Sequence, residues 1–313
     1  MSVSASPNSS DALPPLDARA AEFAARKTSL AGPAWLQNEV ASRMAQRLPL
    51  IRKAPATWMD WQPRTGGMTS LALVQSVYPE ASATVLEPYP ADLQWVVQAQ
   101  KRPWWRFWGR TKAAYASQPD GKADMVWSNM LLHQHAQPGA LMQDWCQALN
   151  PQGFVMFSCL GPDSLQELRA LYADLQWPPP HHAFTDMHDW GDMLLQAGFG
   201  QPVMDMERIT LTYASADEVL KDLRAWGRNL NPGRFTALRG RTWFDQLRQV
   251  MDAGLISPKH EGLLTLTLEI IYGHAFKAAP VARVQDVTVV SLQDMKNMIS
   301  ADKAGPRVDE SGT

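Results

Sequence analysis

Acidic residues and glycines stand at the ends of two predicted strands, where an α/β sheet normally binds its ligands. Asp60 lies near the end of the first strand, Gly66 and Gly67 follow in the turn, and Glu87 comes directly after the second strand. A carboxylate can accept two hydrogen bonds from a ligand, and glycine lets the backbone approach a ligand closely. An acid at a strand end is equally compatible with simple exposure to solvent.

Other polar residues follow later strands. Ser128 and Asn129 end a predicted strand over residues 124–128, and His133 and His135 come soon after. A metal site built on these histidines would need further ligands that the sequence does not provide, so we predict no metal. The two cysteines form neither a disulfide framework nor a metal-binding pattern. We assign no catalytic residue.

The elements that must position these residues alternate between short strands and helices from residue 56 to residue 159. This alternation predicts parallel βαβ units and therefore an α/β fold with a doubly wound sheet. Two helices are predicted before it, over residues 16–27 and 34–48. We expect a disordered N-terminus over residues 1–15 and one domain over residues 16–280, with a cap segment at about 161–200 and 215–253. A mostly flexible C-terminal tail is expected over residues 281–313.

The composition argues against several classes of protein. The net charge of −2 provides no overall field that would attract nucleic acid. No apolar run approaches the roughly 20 residues of a membrane-spanning helix, and the first residues lack the features of a signal peptide. We therefore predict a cytoplasmic protein. One tract, from Lys101 to Arg110, interleaves tryptophans with cations, and it could be a docking segment or an ordinary surface crossover.

Several long motifs resemble those of one family. The segment from Asp124 to Asn129 with the following Met-Leu-Leu-His-Gln, the turn and strand Leu-Asn-Pro-Gln-Gly-Phe-Val-Met-Phe-Ser, and the segment Phe-Thr-Asp-Met-His-Asp-Trp-Gly-Asp carry the likeness. They are similar to the class I methyltransferases that use S-adenosylmethionine (SAM), in particular the malonyl-acyl carrier protein O-methyltransferases of biotin synthesis. The resemblance covers about residues 17–277. It extends to a group of mitochondrial complex I assembly factors associated with arginine hydroxylation.

The resemblance implies a seven-stranded, mostly parallel Rossmann-like sheet with N-terminal helices and a helical cap. It implies SAM as cofactor and an acyl carrier protein or another protein as partner. In the family, the acid at the position of Glu87 binds both ribose hydroxyls. The remaining residues that the resemblance places at the cofactor are Asp60, Gly66, Gly67, Ser128 and Asn129, and those that it places at the substrate are His182, Asp186, His188 and Tyr213.

The sequence also departs from the family pattern. Where the family has a glycine-rich turn, Gln62, Pro63 and Arg64 replace three small residues. Leu30 stands where the family has a tyrosine, and Asp120 is a weak substitute for the acid that binds adenine. Three functions therefore remain open: a methyltransferase, an inactive pseudo-methyltransferase that acts as a binding or assembly module, and a hydroxylase-like assembly factor.

Overall fold

A single sheet of seven strands forms the centre of the computed structural model, which describes residues 13–26, 35–100 and 113–279. Most of the strands coincide with short apolar runs in the sequence, whereas the sixth contains many polar residues. The strands are β1 (Thr57–Trp61), β2 (Ser82–Leu86), β3 (Ala113–Ala116), β4 (Ala123–Ser128), β5 (Leu149–Leu160), β6 (Phe199–Tyr213) and β7 (Leu264–Lys277).

The strand order is β3-β2-β1-β4-β5-β7-β6. The first five strands in this order are parallel, whereas β7 runs antiparallel to both of its neighbours. The predicted doubly wound, mostly parallel seven-stranded sheet is confirmed. From β1 the chain continues to β2, which pairs with one edge of β1, while β4 pairs with the other edge. The carboxyl ends of β1 and β4 therefore form the switch point at which such sheets bind ligands.

Helices cover both faces of the sheet, since alternate residues of the central strands belong to different core clusters. Trp58 and Met125 pack in one cluster, while Met59 and Val126 pack in the other. Strands buried on both faces explain why the sequence has short continuous apolar runs. The helices are α1 (Ala18–Arg26), α2 (Trp35–Ala45), α3 (Pro63–Gly66), α4 (Ser70–Val77), α5 (Pro90–Gln100), α6 (Pro138–Ala148), α7 (Gln166–Asp174), α8 (Met187–Gln196), α9 (Ala216–Trp226) and α10 (Arg241–Gly254).

The start of α7 differs from the sequence expectation. Asp163 and Gln166 have the spacing of a capping pair, but the residue that caps α7 is Leu165, in the left-handed region with φ 57°. The backbone N–H of Asp163 donates to Glu269 Oε2 over 2.9 Å, and its carboxylate pairs with Arg208. The prediction of this cap was wrong because β7, which is distant in sequence, supplies a competing acceptor.

Some predictions concern residues outside the described part of the chain. Leu30, the tract from Lys101 to Arg110, most of the expected disordered N-terminus and the tail over residues 281–313 lie there. The chain divides into two compact units after Ala278, and the seven-stranded sheet with its helices belongs to the first unit. Within the described residues, no helix has the length and apolar character needed to cross a membrane.

Candidate functional site

The turn after β1 adopts a backbone conformation that favours glycine, although Gln62 stands where the family pattern has its first glycine. Gln62 has φ 56° and ψ 57°, which is the left-handed region. Its N–H donates to Leu86 O over 2.9 Å, and its carbonyl accepts from the N–H groups of Thr65 and Gly66 over 3.0 Å each. A residue with a Cβ adopts this conformation at a cost of about 1–2 kcal/mol. The neighbouring hydrogen bonds therefore hold Gln62 in a conformation that glycine would adopt without strain.

The same turn lies directly against the end of β4. A Cβ added to Gly66 would lie 2.6 Å from the carbonyl oxygen of Asn129, so the two backbones are in contact. The side-chain amide of Asn129 donates to Gly66 O and, over 2.7 Å, to Gln37 O of α2. Its oxygen accepts from Ser158 Oγ over 2.6 Å. The buried Asn129 amide thus joins the turn, α2 and β5 and closes the gap between β1 and β4.

Glu87 is directed into the protein at the end of β2. It is 2 % exposed, and its Oε1 accepts the backbone N–H of Arg64 over 2.6 Å. Burial raises the pKa of Glu87 to about 8, and the nearby carboxylates of Asp92 and Asp60 act in the same direction. The carboxyl group is therefore largely protonated near neutral pH.

Arg64 fills the space between α3 and α5. Its Nε lies 3.4 Å from Asp92 Oδ1, and its guanidinium lies 3.6 Å from the centre of the Trp95 ring. The side chain is buried together with the Glu87 carboxyl beside it. A cation packed on an aromatic ring in a partly desolvated place is stabilised by about 1–2 kcal/mol. The Arg64 side chain is therefore held in place by Asp92 and Trp95.

Asp60 and Ser128 are also turned inward. Asp60 is 1 % exposed and accepts a short hydrogen bond from the Ser70 hydroxyl, and burial raises the pKa of Asp60 to about 7. Ser128 is equally buried, and its hydroxyl has no hydrogen-bond partner among the described residues. Gly67 has φ 96° at the end of α3 and packs against Gln37 and Asn38.

A groove runs along the carboxyl edge of the sheet beside these residues. It consists of a cavity of about 380 Å³ between the turn, α1, α2 and the end of α9, and a cavity of about 720 Å³ between β2, the β3–β4 connection and α6. Gln62, Tyr89 and His135 line both cavities and so connect them. None of the six residues predicted at the cofactor lines either cavity. Their role in ligand binding stays a prediction.

Of the residues that connect the two cavities, Tyr89 and Gln62 were missed as ligand-binding residues at the sequence level, whereas His135 was noted after the strand that ends at Ser128. Tyr89 lies two positions after Glu87, and His135 lies in the segment after β4, so nearness to a strand end was an available signal. Gln62 was noted only as a replaced glycine. Among the described residues, no three His, Cys, Asp or Glu side chains lie close enough together to hold a metal ion.

The residues predicted at the substrate are distributed over the cap and do not line the groove. His182 is 5 % exposed and its Nε2 lies 2.8 Å from the carbonyl of His133, so it joins the cap to the segment after β4. Asp186 caps α8 by accepting the N–H of His188 over 2.8 Å, and the His188 ring is exposed. Tyr213 donates to Asp222 Oδ2 over 3.2 Å, and burial raises its pKa. Their contact with a substrate likewise stays a prediction.

The sheet order, the switch point at β1 and β4 and the groove beside it define a class I methyltransferase fold. A family model described as a methyltransferase domain matches residues 34–200. The curated relatives include the malonyl-[acyl-carrier protein] O-methyltransferases of Laribacter hongkongensis (38% identical, covering 79% of this chain and 84% of the relative), Gallionella capsiferriformans (37%, covering 79% and 86%) and Halorhodospira halophila (35%, covering 78% and 81%). The chain belongs to this methyltransferase family.

SAM is the cofactor of the family, and the residues of this chain fit it poorly. The groove keeps enough volume for a ligand of that size. However, the acid that would bind the ribose hydroxyls is directed at the Arg64 N–H and faces neither cavity. The backbone of Gly66 lies directly against the Asn129 carbonyl, and the Asn129 amide donates to Gly66 O. The groove is large enough for SAM, whereas the groups that would hold SAM are hydrogen-bonded within the protein.

Proposed function

We propose that this protein is a binding module on the methyltransferase fold that takes up a malonyl-acyl carrier protein without transferring a methyl group to it. The observation that carries this proposal is the contact between Gly66 and Asn129, with the Asn129 amide hydrogen-bonded across it. A methyl donor acts by being held in line with its acceptor, so a donor site whose binding groups are engaged with one another loses the main source of catalysis.

The proposed binding of a malonyl-acyl carrier protein is supported by the groove and by the names of the relatives. The relatives are named for an acyl-carrier-protein substrate, and the chain covers more than four fifths of each of the three. A malonyl carboxylate needs a cation or several donors when it leaves water. Arg224 lines the groove and has no carboxylate partner among the described residues. Arg208, which pairs with Asp163, is less suited to that task.

A second candidate is methyl transfer to malonyl-acyl carrier protein, as in biotin synthesis. It is favoured by the volume of the groove and by the 38% identity to the Laribacter hongkongensis enzyme. This function would require the turn to move away from Asn129 and the Glu87 carboxyl to turn toward the groove. A cytoplasmic location is proposed with either function, and cell fractionation with an antibody would test it.

The two functions are separated by two measurements on the full chain. Calorimetric titration with S-adenosylhomocysteine, the demethylated cofactor, should give no heat at millimolar ligand. Incubation with malonyl-acyl carrier protein and methyl-labelled SAM should give no labelled ester, while the Laribacter hongkongensis enzyme, as positive control, gives both signals. Labelled ester from this chain would overturn the binding-module proposal and establish the enzyme, and micromolar binding of S-adenosylhomocysteine would overturn the poor fit of the cofactor on which the proposal rests.

A further inference from the structure

The segment that follows the groove is strongly basic. Residues 224–241 contain five arginines and no acidic residue, although the whole chain has a net charge of −2. We call these five the arginine collar: Arg224, Arg228, Arg234, Arg239 and Arg241. The collar spans the end of α9, the connection to α10 and the first residue of α10.

The collar lies at the opening of the groove. Arg224 and Arg228 line the cavity of about 380 Å³ and are exposed to solvent, so they stand where the cavity meets the surface. Trp226, between them in sequence, lines the same cavity and contacts Trp35 of α2 edge to face. A partner bound to the collar would therefore stand directly over the groove.

The described structure leaves most of the collar's charge free. Only Arg234 has a carboxylate partner there, Asp17 Oδ2 at 2.8 Å. Arg239 lies over the rings of Phe235 and Trp243, at 4.1 and 3.9 Å from their centres, and keeps its charge unpaired. Four like charges in one segment repel one another, which is unfavourable unless an acidic surface binds there.

The connection that carries the collar is fixed to the rest of the protein. Leu230 is 2 % exposed, and its carbonyl accepts the N–H of Asp17 over 2.9 Å. Asn229 donates to Pro179 O over 2.7 Å and Asn231 donates to His181 O over 3.1 Å, both in the cap. These anchors hold the arginines in place before a partner arrives, which lowers the entropy lost on binding.

Two exposed apolar side chains lie among the arginines. Phe235 is 48 % exposed and Leu238 is 101 % exposed. A surface that combines cations with apolar side chains suits a protein partner with an acidic rim and a small apolar centre. A nucleic acid would instead favour cations arranged for phosphates with aromatic rings free for stacking. Here one of the rings, Phe235, is covered by Arg239.

We propose that the arginine collar docks the acidic face of the acyl carrier protein, so that the attached malonyl group enters the groove below it. This inference rests on the proposed function and specifies where the carrier binds. Because the contact is electrostatic and lies at the rim, it should act mainly on the association rate and weaken with salt.

The test compares two double variants with matched charge. Arg239→Glu with Arg241→Glu reverses two collar charges that line neither cavity, and Arg52→Glu with Lys259→Glu reverses two exposed charges elsewhere. Each protein is titrated with malonyl-acyl carrier protein of Laribacter hongkongensis, at low and at moderate salt, and with malonyl-pantetheine, which has no carrier. We expect the collar variant to bind the carrier about tenfold or more weakly at low salt. The control variant should stay within about twofold of the wild type, and malonyl-pantetheine binding should not change.

The outcomes separate this inference from the proposed function. If the wild type binds the carrier and both double variants bind it equally well, the assignment of the collar is wrong, whereas the proposed function stands. Absence of wild-type binding to both the carrier and malonyl-pantetheine would overturn the proposed function and, with it, the collar. Tighter wild-type binding to a single-stranded RNA oligonucleotide than to the carrier, lost in the collar variant, would overturn the assignment of the collar to a protein.

Discussion

The backbone N–H of Arg64 donates a 2.6 Å hydrogen bond to the buried carboxyl of Glu87. The resemblance predicts that the acid at this position binds a ribose, whereas in this structure one of its oxygens accepts a hydrogen bond from within the protein. The hydrogen bond favours the ionised acid, yet burial acts more strongly and raises the pKa of Glu87 to about 8. The carboxyl group is consequently a sensitive reporter of whether this region is closed in solution.

Replacing Glu87 by glutamine should flatten the dependence of stability on pH between about pH 5 and pH 8. The pKa of Glu87 is about 8 in the folded protein and near its ordinary value of 4.5 in the unfolded chain. Between these values the folded state binds the extra proton, so stability falls as the pH rises through that range, by at most about 1.4 kcal/mol per pH unit. Glu87→Gln removes this loss.

The measurement is urea unfolding of Glu87→Gln and wild type at pH 6, 7, 8 and 9. The exposed Glu80→Gln serves as control and should keep the wild-type slope. Asp60, whose pKa is raised to about 7, remains in all three proteins and adds the same trend below that pH. Equal slopes in Glu87→Gln and wild type would show that the carboxyl is not buried as described.

Gln62 provides a test of the strained turn. Gln62→Gly relieves a left-handed residue, worth about 1–2 kcal/mol, but it also loosens the unfolded chain by about 0.4–1 kcal/mol. We expect no loss of unfolding free energy, or a gain of up to about 1 kcal/mol. Gln143→Gly, at an exposed position inside α6, should instead cost about 1 kcal/mol. If both variants lose the same amount, the turn does not adopt the left-handed conformation.

The sequence predicted the sheet well because its signals are local. β1 (Thr57–Trp61) and β3 (Ala113–Ala116) occupy short apolar stretches between polar turns, which mark them as strands in the predicted alternation. β6 is harder to read from the sequence, because its first residues, Phe-Gly-Gln-Pro, contain a glycine and a proline and are held by pairing with β7.

The site was less predictable because side-chain direction depends on distant partners. The position of Glu87 at a strand end follows from the sequence, whereas its inward direction depends on the Arg64 N–H. The contact of Gly66 with Asn129 joins residues 63 positions apart, and no local pattern predicts it. Tyr89 lines the groove because both cavities meet there, which is a property of the folded chain alone.

Asn129 should be the most costly side chain of the closed turn to remove. Asn129→Ala loses bonds to Gly66, Gln37 and Ser158 and leaves buried polar groups without partners. Each such group costs about 1–3 kcal/mol, so we expect a loss of roughly 3 kcal/mol or more in unfolding free energy. Asn150→Ala removes a single bond to Asp124, which is only partly buried, and should cost about 1 kcal/mol. A loss below that of Asn150→Ala would exclude the described bridge between the turn and β4.

The buried histidines beneath the cap should make the protein sensitive to acid. Burial lowers the pKa of His133 to about 3 and that of His181 to about 4, below the ordinary value of 6.5. Below pH 6.5 the unfolded chain binds protons that the folded protein excludes, so stability falls as the pH falls toward 4. His133→Leu keeps the apolar contact with Phe184 and removes one of these protons, so it should reduce the slope between pH 6.5 and 4 by up to about 1.4 kcal/mol per pH unit. His188→Leu, at an exposed position on α8, should leave the slope unchanged. Thermal unfolding followed by circular dichroism over this pH range measures both, and an unaltered slope in His133→Leu would mean that this imidazole is protonated in the folded protein.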